Sequence, residues 1–256
     1  MAAGKLLTGE NRDHPLLQQI DRDPGYKRVA KAIEAEITSG RLKVGEYLPA
    51  EADLAEQLGV HRSTVREGIR ALESAALVRR AGGKKLMVCA PPAATIERVN
   101  ARAMSMMKVS FAELWEVQMK LEPFAARMAA LRISPELKNA LKDNVAALRE
   151  HLQDDEHVIL LDIEFHGLIA EATQNTALEL ASAPTRTLVL NATTDLYNHV
   201  PQARHRLLQA HEAILDAVLN GDADEAEHWM ERHISDFRRG YEVAGFDMNA
   251  AIRLRS

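Results

Sequence analysis

The spacing of apolar residues predicts three short helices in the first third of the chain. Val29, Ile33 and Ile37 recur at helical intervals in the first of them. Two further helical stretches, EADLAEQLG and STVREGIRALESA, are separated by a short turn that contains glycine. Two short helices around such a turn form a helix-turn-helix. Its predicted interior consists of Leu54, Ala55, Leu58, Val60, Val65, Ile69 and Leu72.

A β-hairpin is predicted directly after these helices. The segment LVRRAGGKKLMV has two short β-like runs around Gly82-Gly83, and paired glycines suit a tight turn between strands. Basic residues flank the tip on both sides. We therefore expect this hairpin to form a wing that lies against a DNA backbone.

The pattern over residues 108–245 predicts almost continuous helix. In SFAELWEVQMKLEPFAARMAALRI, apolar residues recur every three or four positions, which predicts a helix with a core-facing stripe. That stripe consists of Leu114, Val117, Leu121, Phe124 and Met128. We expect a helical bundle with room for a ligand cavity between its helices.

The Pro91-Pro92 pair marks a boundary, since proline fixes φ and disfavours a helical conformation in the residue before it. Charge changes at the same place. Residues 1–92 carry 15 basic and 12 acidic residues, net +3, and the remainder carries 17 and 25, net −8. Such a split indicates a polyanion-binding module joined to another domain, although short windows also vary by chance.

This boundary and the helical pattern divide the chain into five parts. We expect a flexible arm over 1–23, a DNA-binding domain over 24–92, a linking helix over 93–107, a helical domain over 108–245 and a tail over 246–256.

The second helix of the helix-turn-helix carries side chains that suit DNA. Arg62 and Arg66 are four residues apart and share one helix face. Arginine offers a planar fork of donors to guanine edges and phosphates. Ser63 and Thr64 stand at the helix start, where a hydroxyl caps an amide or contacts a phosphate. The arginines also fit an ordinary solvated face, and the basic hairpin favours DNA.

Histidines are concentrated in the second part of the chain, where seven of the ten lie between His157 and His233. Asp162 and His166 are four residues apart, so both lie on one face of the predicted helix. A carboxylate and an imidazole placed in this way suit a divalent cation. They equally form an ordinary contact on a helix surface. The spacing alone leaves both interpretations open.

The composition excludes several classes of protein. The single cysteine, Cys89, allows neither an internal disulfide nor a CxxC metal site. No apolar run approaches the roughly 20 residues of a membrane-spanning helix, and the N-terminus lacks the apolar core of a signal peptide. We therefore expect a cytoplasmic protein without a membrane partner.

The segment LPAEADLAEQLGVHRSTVREGIRALESAALVRRAGGKKLMV resembles the winged helix-turn-helix of the GntR family of bacterial transcription regulators. The resemblance implies that operator DNA is contacted at the matching positions. These are Arg62, Ser63, Thr64, Arg66 and Gly83, to which the basic wing tip adds Lys84. Many relatives have arginine in place of Ala52, and Ser or Thr in place of His61, so the operator sequence is left open.

Three later segments, LEPFAARMAAL, DIEFHGLIAEATQN and AHEAILDAVLNGDADEAEHWMERHI, resemble the FCD domain. This is the helical effector-binding domain of the FadR-like GntR subgroup. The resemblance implies a metal site whose ligands are Asp162, His166, His211 and His233. Mixed nitrogen and oxygen ligands suit Zn²⁺, Ni²⁺ or Mn²⁺. We expect ligand positions to remain for water or for an effector carboxylate.

The effector pocket is less defined by the sequence. Many relatives have an arginine near Gln118 that helps to hold an acidic ligand, whereas Gln118 offers a neutral amide. The candidate effector-binding residues are Gln118, Arg132 and Asn191, with Arg127 and Tyr197 as further pocket residues. Helical phase does not decide which of them face inward.

These observations predict a mainly α protein. It has an N-terminal winged helix-turn-helix, of three helices and a small β-hairpin, joined to an all-α helical-bundle effector domain. The family resemblance implies a homodimer on a pseudo-palindromic operator, and a repressor released by a small carboxylate metabolite. One rival is a hydrolase or lyase that uses the metal centre, but the sequence has no phosphate loop or nucleophile elbow. Another is a regulator whose metal is purely structural.

Overall fold

The computed structural model describes residues 23–83 and 85–252, and at 189–191, 195 and 198 it describes the backbone alone. The chain forms two compact units, which divide between Pro91 and Pro92. The predicted arm over 1–23 lies outside the described residues except for Asp23. The predicted tail over 246–256 is described as far as Ile252.

The first unit contains three helices and a hairpin. They are α1 (Gly25–Thr38), α2 (Glu51–Leu58), α3 (Arg62–Ser74), β1 (Val78–Arg80) and β2 (Leu86–Val88). The two strands are antiparallel, with Val78 opposite Val88 and Arg80 opposite Leu86. The turn between α2 and α3 begins at Gly59, whose φ of +62° is easily adopted only by glycine. This architecture confirms the predicted winged helix-turn-helix.

Apolar side chains from all three helices and the hairpin form the core of this unit. Val65 and Ile69 of α3 are fully buried, and the other residues of the predicted interior are buried or packed against them. Gly68 lets α1 and α3 approach closely. A Cβ at position 68 would lie 2.7 Å from Cγ1 of Val29 and 3.0 Å from the carbonyl oxygen of Tyr26.

The second unit is a bundle of helices. Within the described residues they are α4 (Ala93–Met106), α5 (Phe111–Arg132), α6 (Pro135–Glu150), α7 (Asp155–Ala172), α8 (Thr176–His199), α9 (Ala203–Asn220) and α10 (Ala223–Val243). Local chemistry explains several starts. The hydroxyl of Ser110 accepts the N–H of Glu113, whose carboxylate accepts the N–H of Ser110 in return. Asp222 likewise accepts the N–H of Glu225 at the start of α10.

Helix α5 lies at the centre of the bundle, where it packs against α7, α8, α9 and α10. Helix α4, which occupies the segment predicted as a linking helix, packs on α8 within the second unit. In the described part of the chain, none of these helices combines the length and apolar character needed to span a membrane.

One face of α5 is exposed where the sequence predicts burial. Val117 and Phe124 are 43% and 44% exposed, and of the predicted stripe Leu114 alone is fully buried. The inward face consists of Gln118, Glu122 and several alanines. For Val117 and Phe124 the prediction is wrong, whereas Leu114 is buried and Leu121 packs against the core as predicted. The inward positions are taken instead by alanines, which let neighbouring helices approach closely, and by two polar residues that face an interior site. A pattern of large apolar residues marks neither kind of position as buried.

Candidate functional site

The candidate DNA surface of the first unit surrounds the start of α3. Arg62, Ser63 and Arg66 are exposed, and Thr64 is half-buried. His61 is the residue before the helix, and no side chain caps its first turn. Ser63 and Thr64 therefore lie inside the first helical turn rather than at the capping position. This turn is the part of a recognition helix that contacts base edges.

Arginines from both α3 and the hairpin line one groove of about 700 Å³. Arg62 and Arg66 come from α3, and Arg80 and Lys85 come from the hairpin. Gly82 and Gly83 form the tip between the strands, both with φ of +67°. Lys84 lies outside the described residues. The structure thus brings predicted arginines together with Arg80 and Lys85, two basic residues that the sequence analysis did not assign to the site.

Glu51 at the start of α2 fixes the orientation of Arg66. Nη2 and Nε of Arg66 donate to Oε2 of Glu51 at 3.0 and 3.2 Å. A guanidinium has five N–H donors, so three are not used by this carboxylate. Glu51 therefore acts as a positioning residue for Arg66. The sequence offered a signal for it only in the LPAE segment of the family resemblance.

The four predicted metal ligands converge in the second unit. Asp162 and His166 come from α7, His211 from α9 and His233 from α10. One ligand atom from each side chain lies within 4.8 Å of every other. Nε2 of His166 lies 3.1 Å from Nε2 of His233 and 3.7 Å from Oδ1 of Asp162. The three imidazoles are buried, and His211 is fully so.

The polar atoms of this cluster are unsatisfied in a way that fits a cation. Among the described residues, Oδ1 of Asp162 and both ring nitrogens of His211 have no hydrogen-bond partner. Nε2 of His211 lies 3.2 Å from Oδ1 of Asp162, close enough for attraction but without hydrogen-bond alignment. Buried polar atoms without partners are costly. A divalent cation placed among them would satisfy the carboxylate and the imidazole lone pairs together.

A buried carboxylate that the sequence analysis missed contacts the cluster through His166. Oε2 of Glu122, on α5, lies 3.0 Å from Nδ1 of His166. Glu122 is 1% exposed. When Nδ1 donates its proton to this carboxylate, Nε2 is left as the ligand atom. The sequence did contain one signal for Glu122: it is an acidic residue four positions after Gln118, so both lie on the same face of the helix.

The pKa values of the cluster reflect burial and mutual attraction. Burial by itself would raise the pKa of Asp162, but the surrounding imidazoles favour the carboxylate and lower its pKa to about 2. Burial lowers the pKa of His211 and holds the pKa of His233 well below its usual value. Both therefore favour the neutral form that binds metal. For His166, burial opposes protonation, but Glu122 outweighs it and raises the pKa.

A cavity of about 40 Å³ adjoins the cluster, and Asp162, His166 and His233 form part of its wall. Because one water needs about 10–15 Å³ of such space, the cavity holds roughly three waters or a small ligand. Gln118 lines it as predicted, and so does Tyr197. Polar lining is completed by Thr193 and by Arg186 of α8.

Arg186 is the cation that the sequence analysis missed. Its Nη1 donates to the hydroxyl of Ser182 at 2.8 Å, and no carboxylate among the described residues forms an ion pair with it. Nothing in the local sequence, ASAPTRTLVL, distinguishes it from a surface arginine.

Two predicted effector residues are not brought to this cavity. Nη1 of Arg132, at the end of α5, donates to the carbonyl oxygen of Thr173 at 3.0 Å. Arg127 pairs with Asp224 and with Glu227 on α10. The end of α5 carries both arginines away from the cavity. The side chain of Asn191 lies outside the described residues.

Comparison with known proteins assigns a family to each unit. Residues 25–88 match the family "Bacterial regulatory proteins, gntR family", and residues 113–236 match the FCD domain. The Glc operon transcriptional activator of Escherichia coli is 29% identical over 86% of this chain and 89% of its own length. The HTH-type transcriptional repressor NanR of Cronobacter sakazakii is 28% identical over 88% of this chain and 90% of its own length.

A solved structure agrees with these matches. The GntR protein of Streptococcus agalactiae superimposes with a TM-score of 0.60 at 26% identity, over 84% of this chain and 99% of that one. The resemblance therefore extends over both units.

Proposed function

Since the chain belongs to the GntR family of bacterial regulatory proteins and is a DNA-binding transcription regulator with an FCD domain, we propose that a small anionic effector at its metal centre controls operator binding. Family membership also argues against the rival hypothesis of a metal-dependent enzyme, since the relatives are regulators and not enzymes. The observation that carries the proposal is the buried Asp162 and histidine cluster beside a cavity that contains Arg186.

Operator DNA binds, in this proposal, to the face formed by α3 and the wing. Arg62, Ser63, Thr64 and Arg66 enter the major groove, while Gly83 and Lys84 lie against the backbone. Arg66 reads a base or a phosphate through the donors that Glu51 leaves unused. The protein acts as a homodimer, because two equal recognition helices match a pseudo-palindromic operator.

The metal is held by Asp162, His166, His211 and His233, with Glu122 supporting His166. Zn²⁺, Ni²⁺ and Mn²⁺ are all consistent with these ligands. When bound, the metal supplies positive charge and ligand positions for the oxygens of an anion. Support for this assignment comes from the unsatisfied atoms of Asp162 and His211.

The effector is a small carboxylate. The guanidinium of Arg186 supplies a charged donor, and the amide of Gln118 and the hydroxyl of Tyr197 supply neutral ones. A cavity of about 40 Å³ favours an acid of a few heavy atoms. Arg186 takes the role that an arginine near position 118 is expected to have in many relatives, where this chain has Gln118. We further propose repression relieved by effector, which requires tighter effector binding to the form that does not hold DNA.

Fluorescence anisotropy tests the proposal on the full-length protein with DNA from upstream of its own gene. Salt is held constant and scrambled DNA competes, because phosphate contacts alone bind strongly at low salt. We expect tight binding to one fragment, and release when a small carboxylic acid from a panel is added to metal-loaded protein. If chelation unfolds the second unit and no acid changes DNA affinity, the metal is structural and the effector proposal is wrong.

Two variants test whether the release of DNA by the acid depends on the cavity. Arg186→Ala removes a charge-assisted contact and should weaken the response to the acid by about 10–100-fold while metal content stays unchanged. Arg149→Ala, an exposed arginine paired with Glu212, should respond like the wild type. An equal response from both variants excludes Arg186 from effector binding. Transcription in vitro, with and without the acid, decides between repression and activation.

A further inference from the structure

Tyr47, in the segment that connects α1 to α2, is held against the hairpin by its backbone. The N–H of Leu48 donates to the carbonyl oxygen of Leu86 at 2.9 Å, and Tyr47 lies opposite Met87 of β2 in an antiparallel bridge. Successive side chains of an extended segment point to opposite sides. Leu48 points into the core and is 7% exposed, so Tyr47 points outward and is 55% exposed.

The ring of Tyr47 lies beside a basic side chain of the wing. Lys85 precedes Met87 by two residues, so it is the diagonal neighbour of Tyr47 on the same face of the hairpin. Nζ of Lys85 lies 5.6 Å from the centroid of the Tyr47 ring, within the range of a cation–π interaction. This contact holds the ammonium group of Lys85 on the outward side of the hairpin.

The hydroxyl group of Tyr47 is available to a ligand. In the described part of the chain it forms no hydrogen bond with a side chain or a carbonyl oxygen. A phenolic hydroxyl can donate one hydrogen bond and accept others. A single exposed aromatic residue needs no explanation by itself. Tyr47, however, lines the groove that Arg62 and Arg66 of α3 also line, together with Lys85. Its exposed end therefore belongs to a basic surface.

This groove lies on the expected course of one DNA strand. In the proposed function, α3 enters the major groove and the wing lies against the backbone. The sugar–phosphate strand that borders the major groove then runs over the surface that α3 and the hairpin form together. Tyr47 and Lys85 are part of that surface. Tyrosine hydroxyls and lysine ammonium groups are both donors to phosphate oxygens in protein–DNA complexes.

We propose that Tyr47 contacts the DNA backbone, with its hydroxyl donating to an operator phosphate and its ring holding the ammonium group of Lys85 toward the same strand. The inference rests on the DNA-binding face of the proposed function, and it adds a residue that lies outside both the recognition helix and the wing. A phosphate contact of this kind fixes the position of the protein on the duplex but does not read the base sequence.

Fluorescence anisotropy of the full-length protein tests the contact with two duplexes, the upstream fragment that the wild type binds and a scrambled duplex of the same length. Tyr47→Phe removes the hydroxyl and keeps the ring, and it should raise the Kd for both duplexes by about tenfold. Val44→Ala is the matched control, since Val44 is 65% exposed in the same connecting segment but does not line the groove. It should bind as the wild type does. Circular dichroism checks that each variant is folded.

The salt dependence of binding separates the hydroxyl from the ring. Lys85→Ala removes a positive charge and should reduce the slope of log Kd against log salt by about 1 per chain. Tyr47→Phe removes no charge, so the slope should equal that of the wild type. Tyr47→Ala also removes the ring that holds Lys85, and it should weaken binding more than Tyr47→Phe does. In a Lys85→Ala background the two substitutions of Tyr47 should have equal effects.

The outcomes distinguish the Tyr47 contact from the DNA-binding face itself. If the wild type binds the fragment and neither Arg66→Ala nor Tyr47→Phe changes the Kd, both the proposed face and the contact are wrong. If Arg66→Ala weakens binding and Tyr47→Phe does not, the contact alone is wrong. A loss by Tyr47→Phe on the upstream fragment but not on the scrambled duplex contradicts a backbone contact. An equal loss by Val44→Ala assigns the effect to the connecting segment and contradicts the role of the hydroxyl.

Discussion

Replacing Glu122 with glutamine tests whether a buried carboxylate strengthens metal binding at the proposed metal site. Oε2 of Glu122 lies 3.0 Å from Nδ1 of His166, in a position that is 1% exposed. A glutamine has the same size but no charge, so the imidazole becomes a less basic ligand. Loss of such a supporting contact costs about 10–100-fold in metal affinity, or about 1.4–2.7 kcal/mol.

The affinity is measured by competition between the protein and a chromogenic chelator for Zn²⁺. Glu171→Gln, an exposed position on the same helix as His166, is the matched control and should bind as the wild type does. We therefore expect the wild type and Glu171→Gln to bind Zn²⁺ with equal affinity, and Glu122→Gln to bind it more weakly. Helical content by circular dichroism checks that the bundle is intact.

The difference in Zn²⁺ affinity between the wild type and Glu122→Gln should narrow as the pH falls. Burial opposes protonation of His166, but Glu122 raises the pKa, so in the wild type a proton competes with metal for Nε2 at higher pH. The variant lacks this charge, and the pKa of its His166 is lower. The affinity of the wild type therefore begins to decline first as pH is lowered. Equal affinities at every pH, or a ratio independent of pH, would refute this account.

Three further changes test other parts of the structure. His211→Ala removes a fully buried ligand and should abolish stoichiometric metal binding, and elemental analysis that finds full retention contradicts the ligand assignment. Arg66→Ala should weaken operator binding by about tenfold at fixed salt, and an unchanged Kd removes Arg66 from the interface. Gly68→Ala should destabilise the first unit, because overpacking of roughly 1–3 kcal/mol against Val29 exceeds the roughly 1 kcal/mol gain in helix propensity. Denaturant unfolding of the full chain measures this, and increased stability is the contrary result.

Local patterns in the sequence were sufficient to predict the first unit. Apolar periodicity, the glycine turn and the paired glycines each specify local geometry, and Val65 and Ile69 lie in the core as predicted. The candidate metal site could be predicted in part, since the spacing of Asp162 and His166 is local. His211 and His233 come from distant helices, so only the family resemblance could group them with that pair.

One physical reason explains why the sequence analysis missed two residues of the site. Glu122 and Arg186 are charged residues that face the interior, and a pattern of apolar positions assigns such residues to the surface. The opposite error was made on the exposed face of α5. Val117 and Phe124 are apolar residues that the pattern assigned to the core, but they lie on an outward face. Periodicity identifies the two faces of α5 but does not say which one the same chain buries. That choice depends on tertiary packing.

Helix α5 connects the cavity to most of the bundle. Gln118 lines the cavity and Glu122 contacts His166, and the same helix packs against α7, α8, α9 and α10. In the proposed function, an effector that contacts Gln118 therefore acts on an element that four other helices share. By reciprocity of binding free energies, such an effector changes operator affinity by the factor through which operator DNA changes effector affinity. In that case the metabolite concentration needed for a response depends on whether operator DNA is bound.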